Sequence, residues 1–356
     1  MREFVHETRP MRVVLRPGAA TTATPEEVQR LGLRRVLVVG GPRGADTARS
    51  VADALGGACV GVHAEARMHV PVEVAERAVE VARSLGADGC VAVGGGSAIG
   101  LGKMLALRAE LPLIAVPSTY SGSEMTPVWG LTENGAKRTG RDPSVLPRSV
   151  VYDPELTFSL PVGLSVTSGI NAVAHAAEAL YAPDVSPLIA LTAEEGVRAM
   201  TCALPELAAD PRGLEARGRA LYGAWLCGAA RGATTMGLHH KLCHVLGGTF
   251  GLPHADTHTV VLPYALAHNA PAAPEAMAAL GRALDTDDVP GALWDLARNL
   301  GAPGSLAELG LNEADLAAAA REATKQTYPN PRPVATEGVL DVLKAAHLGH
   351  RPHTKY

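Results

Sequence analysis

The chain changes character at Asp153-Pro154. Before that point, short runs rich in Val and Ile alternate with segments of helical pattern. After it, β-branched runs nearly vanish and long Ala- and Leu-rich stretches take over. The alternation dictates a parallel sheet, because a strand rejoins its sheet in the same direction only through a crossover, most often a helix. The uninterrupted helical stretches must bury their apolar stripes against one another. The sequence therefore predicts an α/β N-terminal domain over 1–155, with a doubly wound, mostly parallel, Rossmann-like sheet, and an all-α C-terminal domain over 156–356. A chain of 356 residues suits two domains.

Strands are expected at Met11–Leu15, Arg35–Val39, Cys59–Val62, Gly89–Val93, Leu113–Val116 and Ser149–Tyr152. Ala45–Leu55 and Pro71–Leu85 read as helices, and Pro25–Leu31 as a short one with Thr24 as its N-cap. In the second half, helices are expected near 166–181, 188–208, 213–232, 236–248 and 255–268, with shorter ones as far as 346.

Net charge is −4 and no basic face is evident, which argues against a nucleic-acid partner. Apolar runs stay short of the roughly 18 residues a membrane span needs, and the charged N-terminus lacks an apolar signal core, so neither membrane nor export is expected. The five cysteines show no paired spacing and read as reduced thiols of a cytoplasmic protein.

The chemistry concentrates in Gly237–His258, GLHHKLCHVLGGTFGLPHADTH, which carries five of the 13 histidines. His240 and His244 are four apart and share a helix face, and Asn171 and His175 repeat that spacing in SGINAVAHAAEAL. Gly247 and Gly248 weaken the helix, and Gly251-Leu-Pro253 predicts a turn before a new helix near His254. Polar rings gathered in an apolar helical body suit metal binding or carboxylate binding.

In the first half, the strand ending Gly40-Gly41 and the run VAVGGGSAIGLGK both lead into helices. Gly94, Gly95 and Gly96 let backbone amides approach a diphosphate at a helix N-terminus, and Ser97 and Lys103 are candidate phosphate or ribose contacts. PSTYSGSEMT offers Ser118, Thr119 and Ser123 just past a strand, where open α/β sheets bind ligands. The cations Lys137, Arg138 and Arg141 read as a charged loop that could clamp a carboxylate, and Arg332 in YPNPRP could do the same.

Taken in order, GGGSAIGLGK, PSTYSGSEMTP, GINAVAHAAEALYA and GLHHKLCHVLGGTFGLPHADTHTVVLP resemble the maleylacetate reductases. These are a branch of the iron-containing (group III) alcohol dehydrogenases, with the dehydroquinate synthase-like fold. KRTGRD, LPRSVVYDPELT and PNPRPV extend the match over nearly the whole chain. The resemblance implies a homodimeric oxidoreductase that uses NADH or NADPH to reduce the enone of maleylacetate, a dicarboxylate, to 3-oxoadipate in aromatic-compound degradation. It also implies a metal set of Asn171, His175, His240 and His254, with His244 near the nicotinamide.

The wider family has Asp where this chain has Asn171. A neutral amide is a poorer ligand for a hard cation and leaves the ion's charge less compensated. Bound Fe or Zn is therefore expected to be dispensable. The histidines would hold the dianionic substrate, as hydrogen-bond donors or as imidazolium ions, with Asn171 and His258 in the same pocket. His244, His240 and His254 would stabilise the enolate. Two further departures are Gly100, where the wider family often has Asp, and Tyr264, where it often has His; the second predicts an altered pocket wall. NAD-selective relatives carry a carboxylate near the end of the strand at Gly40; here Arg43 follows instead, so NADPH should be accepted. Alternative readings are a metal-dependent alcohol or ketone reductase, a dehydroquinate synthase-like lyase or cyclase, and a nucleotide-binding scaffold without catalysis.

Overall fold

The computed structural model describes residues 4–7, 10–133 and 136–352. The chain divides into two units. A sheet unit comprises Glu7–Leu160 and Arg212–Leu221, and a helical unit comprises Met1–His6, Pro161–Pro211 and Tyr222–Tyr356.

The sheet unit runs β1 (Arg12–Leu15), α1 (Ala19–Arg30), β2 (Val36–Gly40), α2 (Ala45–Leu55), β3 (Cys59–His63), α3 (Val72–Ser84), β4 (Gly89–Gly94), α4 (Gly96–Ala109) and β5 (Leu113–Pro117). A separate antiparallel hairpin, β6 (Val128–Glu133) and β7 (Ala136–Arg141), follows before β8 (Ser149–Tyr152) rejoins the sheet. The six-stranded sheet has the order β1-β8-β5-β4-β2-β3, parallel throughout. β2, β5 and β8 are buried end to end, as a parallel sheet covered on both faces requires. The chain leaves β2 toward β3 on one side and leaves β4 toward β5 on the other. That reversal opens a crevice at the carboxyl ends of β2 and β4.

Two expectations need correction. Helix α1 starts at Ala19, not at Pro25, and Thr24 lies buried inside it. The start is fixed from far along the chain: the Asp153 carboxylate accepts from Gly18 N (3.1 Å) and Ala20 N (3.0 Å). That cap is invisible to a local reading. The charged stretch Ala136–Arg141 is strand β7, not a loop; Trp129 stands opposite Gly140 and its indole covers that glycine.

α1 is also tied down by Glu27, which is buried and accepts from Arg12 Nε (2.7 Å), Arg30 Nε (2.8 Å) and Ser149 Oγ (2.6 Å). Burial alone would raise its pKa. The Ser149, Arg30 and Arg12 hydrogen bonds and the Arg30 charge outweigh it and hold the carboxyl below its usual range. A depressed native pKa stabilises the fold above the unfolded-state value, and the benefit disappears as pH falls through the native one. Glu27→Gln should therefore cost about 1–3 kcal/mol at neutral pH. In thermal unfolding followed by circular dichroism, its deficit against wild type should close below about pH 4.

The helical unit contains α5 (Val162–Leu180), α6 (Pro187–Ala209), most of α7 (Leu214–Ala233), α8 (Leu238–Phe250), α9 (His254–Asn269), α10 (Pro274–Leu284), α11 (Val289–Asn299), α12 (Leu316–Thr324) and α13 (Thr336–Leu348). The first residues of α7 group with the sheet unit because Arg217, fully buried, donates to Tyr120 OH (3.0 Å) and the Leu160 carbonyl (3.2 Å). From Gly169 to Leu180, α5 is buried on every side, so it is the axis of the helical unit. α8 persists through Gly247 and Gly248 to Phe250 and ends at Gly251, whose φ of 73° is the left-handed C-terminal turn that glycine permits. No helix among the described residues is long and apolar enough to cross a membrane.

Candidate active site

Asn171, His175 and Glu178 are spaced four and three apart on α5, so they share one face. All three are buried. Glu178 serves the start of α8, where the first N–H groups have no acceptor within the helix and Gly237 brings no capping side chain. Its Oε2 accepts from Gly237 N (3.1 Å) and His240 N (3.3 Å); its Oε1 accepts from His239 N (2.9 Å) and Tyr181 OH (3.0 Å). Oε2 also receives the Nδ1 proton of His240 at 2.6 Å. With its proton committed there, the neutral His240 ring presents a bare lone pair at Nε2.

His258, fully buried on α9, is the hub of the cluster. Its ring centroid lies 4.3 Å from that of His254, 4.8 Å from His239, 5.0 Å from His240 and 6.4 Å from His175. His175 and His240 stack at 5.1 Å. His239 donates Nε2–H to the His258 carbonyl at 3.0 Å. Several buried polar atoms have no hydrogen-bond partner within the protein: Asn171 Oδ1, His175 Nδ1, His239 Nδ1, His240 Nε2 and both ring nitrogens of His258. Each such atom costs roughly 1–3 kcal/mol, so their concentration marks a polar receptor.

Burial drives the imidazole pKa of His175, His240 and His258 well below the ordinary value. The Arg231 charge adds to this at His175, and repulsion between protonated neighbouring rings adds to it at His240 (His239) and at His258 (His254). These rings are neutral near pH 7, which removes the imidazolium alternative for the unliganded site. His244 and His254 are exposed at the edge, with the His244 ring 6.3 Å from that of His240.

The structure thus gathers Asn171, His175, His240, His254 and His258, with His244 beside them. Arg332 does not join them. Its guanidinium donates instead to the His268 carbonyl (3.2 Å) near the end of α9. Tyr264 is buried and donates to the His350 carbonyl at 3.0 Å. Three residues escaped the sequence reading. Glu178 was signalled by its spacing of seven from Asn171, and His239 by its place beside His240. Arg231, half-buried on α7, acts on His175 and His240 through space and left no local signal.

The implied iron set does not fit. Among the described residues, the one group of three or more His, Cys, Asp or Glu donors that converges within 4.8 Å is His239, His240 and His258. The set of His175, His240 and His254 does not converge in this way, and Asn171 brings no charge.

In the sheet unit, the ends of β2, β4 and β5 lie side by side. Gly40 pairs with Val93, Gly94 pairs with Pro117, and Ser118 N donates to the Gly94 carbonyl at 3.2 Å. Gly94 has φ 136°, and a Cβ on Gly95 would stand 3.0 Å from Thr119. This bare cradle leads into α4 at Gly96-Ser97 and fits a diphosphate. Gly41 and the exposed Arg43 lie beyond β2, and Ser118, Thr119 and Ser123 are half-buried past β5. Gly100 leaves no room for the family's Asp, because a Cβ there would meet Val70 at 2.7 Å.

Lys103 is not a cofactor contact. It is 2% exposed, and its Nζ donates to the carbonyls of Ser123 (2.6 Å), Thr126 (2.8 Å) and Val128 (2.6 Å) and to Thr126 Oγ1 (3.0 Å). All its donors are spent on holding the hydroxyl-rich loop. Arg138 pairs with Glu133 at 2.9 Å on the hairpin and Arg141 is exposed on the same strand; the side chain of Lys137 lies outside the described residues.

Two family profiles cover the chain. The one described as iron-containing alcohol dehydrogenase matches residues 10–154, and the C-terminal one of the Fe-containing alcohol dehydrogenase family matches residues 165–347. The maleylacetate reductase of Pseudomonas sp. (strain P51) is 52% identical, over 98% of this chain and 99% of its own. That of Burkholderia cepacia is 52% identical, over 99% of this chain and 100% of its own. The crystal structure of maleylacetate reductase from Agrobacterium tumefaciens superposes with a TM-score of 0.96 at 49% identity, covering 99% of this chain and 100% of that one. The chain belongs to the iron-containing alcohol dehydrogenase family, in its maleylacetate reductase branch.

Proposed function

We propose that the chain reduces the enone double bond of maleylacetate to give 3-oxoadipate, using NADH or NADPH, as a step in the breakdown of aromatic compounds. The observation that carries this reading is the buried pocket in which a neutral amide, Asn171, and neutral imidazoles stand where the wider family has an iron cage. Reduced nicotinamide, when bound, supplies a hydride to the β-carbon of the enone. The Gly94–Ser97 cradle and the hydroxyls of Ser118, Thr119 and Ser123 would hold the dinucleotide.

The pocket supplies the rest. Reduction at the β-carbon leaves negative charge on the ketone oxygen as an enolate. No hydrogen bond commits the single N–H of the neutral His258 ring, so this ring can turn it toward that oxygen. His240 cannot donate there while its proton is held by Glu178; its Nε2 acts as an acceptor. His244 and His254, exposed at the edge, would relay a solvent proton to the α-carbon. The Arg231 charge favours the substrate carboxylates. A homodimer formed along the edge strand β1 belongs to the same proposal.

The test is an absorbance assay at the reduced-nicotinamide band. Maleylacetate should be consumed one-to-one with the reduced dinucleotide, and simple aldehydes should react at least about a hundredfold more slowly, a gap of about 2.7 kcal/mol. NADPH should be used readily, because Arg43 follows β2 where NAD-selective relatives carry a carboxylate. Aldehyde preference, or turnover without net nicotinamide oxidation, contradicts the proposal. A preference for NADH of about a thousandfold contradicts the role given to Arg43.

A further inference from the structure

We infer that His69 is a contact residue for the bound dinucleotide, held at the rim of the β2–β4 crevice by a left-handed turn that the neighbouring hairpin clamps. The inference rests on the reading that this crevice takes a dinucleotide; the residue, and the device that holds it, go beyond that reading.

The backbone between β3 and α3 carries the argument. Val70 N donates to the Arg67 carbonyl at 3.1 Å, which closes a β-turn over Arg67–Val70. His69, the third residue of that turn, has φ 62°, and Val70 follows at φ 46°. A third turn position with positive φ suits Gly or Asn, and a β-branched residue is an outlier in this region. Among the described residues, the two other positive-φ residues that are not glycine are Glu110 and Asp285, and each stands singly at a helix C-terminus. His69 and Val70 are consecutive and lie in a loop. Glycine at either position would relax the backbone, so the side chains are what the strained geometry retains.

The turn is fixed from several directions. Thr132 on β6 holds both carbonyls: its N–H donates to Val70 O at 3.1 Å and its hydroxyl to His69 O at 3.0 Å. Pro71 pairs with the same Thr132. Val70 is buried, and a Cβ on Gly100 would stand 2.7 Å from its Cγ2. At the other end of the loop, Ala66 N donates to the Gly40 carbonyl at 2.9 Å. The segment is thus pinned to the tip of β2 on one side and to α4, about one turn past the Gly94–Ser97 cradle, on the other. Arg67, Met68 and His69 lie between these pins and are exposed, so they form a rim of the crevice at the carboxyl ends of β2 and β4. An imidazole at this rim can donate to a ribose hydroxyl or a phosphate oxygen. Because the rim is already ordered, little freedom is lost when the ligand arrives. Val70 and Thr132 are positioning residues, acting through the turn.

The test is NADH binding by the full chain, read by nucleotide fluorescence without substrate, beside thermal unfolding of the same samples. His69→Gly separates contact from strain. Glycine relaxes the turn, so Tm should hold or rise by about 1–3 °C, while the Kd for NADH should rise at least about tenfold. Thr132→Val keeps the ring but releases the His69 carbonyl, and should raise Kd by a smaller factor. If His69→Gly binds NADH as wild type does, the ring is no ligand contact. If its Tm and its affinity fall together, the ring serves the fold. Either result overturns the inference, and an unchanged Kd in Thr132→Val overturns the clamp. A wild-type chain without saturable NADH binding would remove the dinucleotide reading itself, and this inference with it.

Discussion

Glu178→Ala is expected to lower stability by about 3–5 kcal/mol, a fall of roughly 10 °C in Tm. It is also expected to cut kcat/KM for maleylacetate about 10–100-fold when assayed well below that Tm. The carboxylate is fully buried and receives five hydrogen bonds: three from backbone N–H groups at the start of α8, one from Tyr181 and one from His240. Alanine leaves those backbone donors without acceptors in an apolar interior. It also frees His240 to rotate and change tautomer, so stability and turnover fall together. Glu178→Gln separates the two effects. Its oxygen can stand in for Oε2 and still receive the His240 ring proton and the Gly237 and His240 N–H groups, while its amide N–H faces His239 N, so most of the turnover should return while part of the stability loss remains. If Glu178→Ala melts like wild type, the capping role is wrong. If it melts early but keeps full turnover, His240 orientation is not what Glu178 contributes.

Asn171→Asp is expected to raise the KM for maleylacetate at least about a hundredfold. The substrate is a dianion, and one of its carboxylates about 5 Å from a new buried charge is opposed by about 3 kcal/mol at an effective dielectric near 20. The side chain is 4% exposed, so water screens little of this. The same change restores a hard anionic ligand beside His175, so affinity for a divalent ion should rise. Steady-state kinetics and metal analysis of the one variant read both effects. If KM is unchanged, the amide does not face the bound dianion.

The fold was largely legible because its signals are local. Ala45–Leu55 and Ser149–Tyr152 have in the structure the same bounds that their patterns predict. Where the reading failed, the cause lay elsewhere in the chain. Helix α1 begins where Asp153 caps it, 133 residues from Ala20. The hairpin β6–β7 did have a local mark, the Asn-Gly dipeptide between its strands, which is the strongest short hairpin signal; the density of cations hid it.

In the pocket, spacing on α5 and α8 gave Asn171, His175, His240 and His244, because side chains four apart on a helix must share a face. Spacing does not say where a proton sits. That His240 is an acceptor, that His258 is the centre of the cluster and that Lys103 is a brace for a loop all depend on partners brought together by folding.

The most direct test of a neutral amide–imidazole pocket is turnover after exhaustive chelation, with metal content measured on the same sample. Maleylacetate reduction should persist with kcat/KM unchanged or higher in a chain holding less than about a tenth of an equivalent of iron or zinc, since no step in the pocket needs an ion. Activity that vanishes on chelation and returns with one equivalent of Fe2+ or Zn2+ would contradict it.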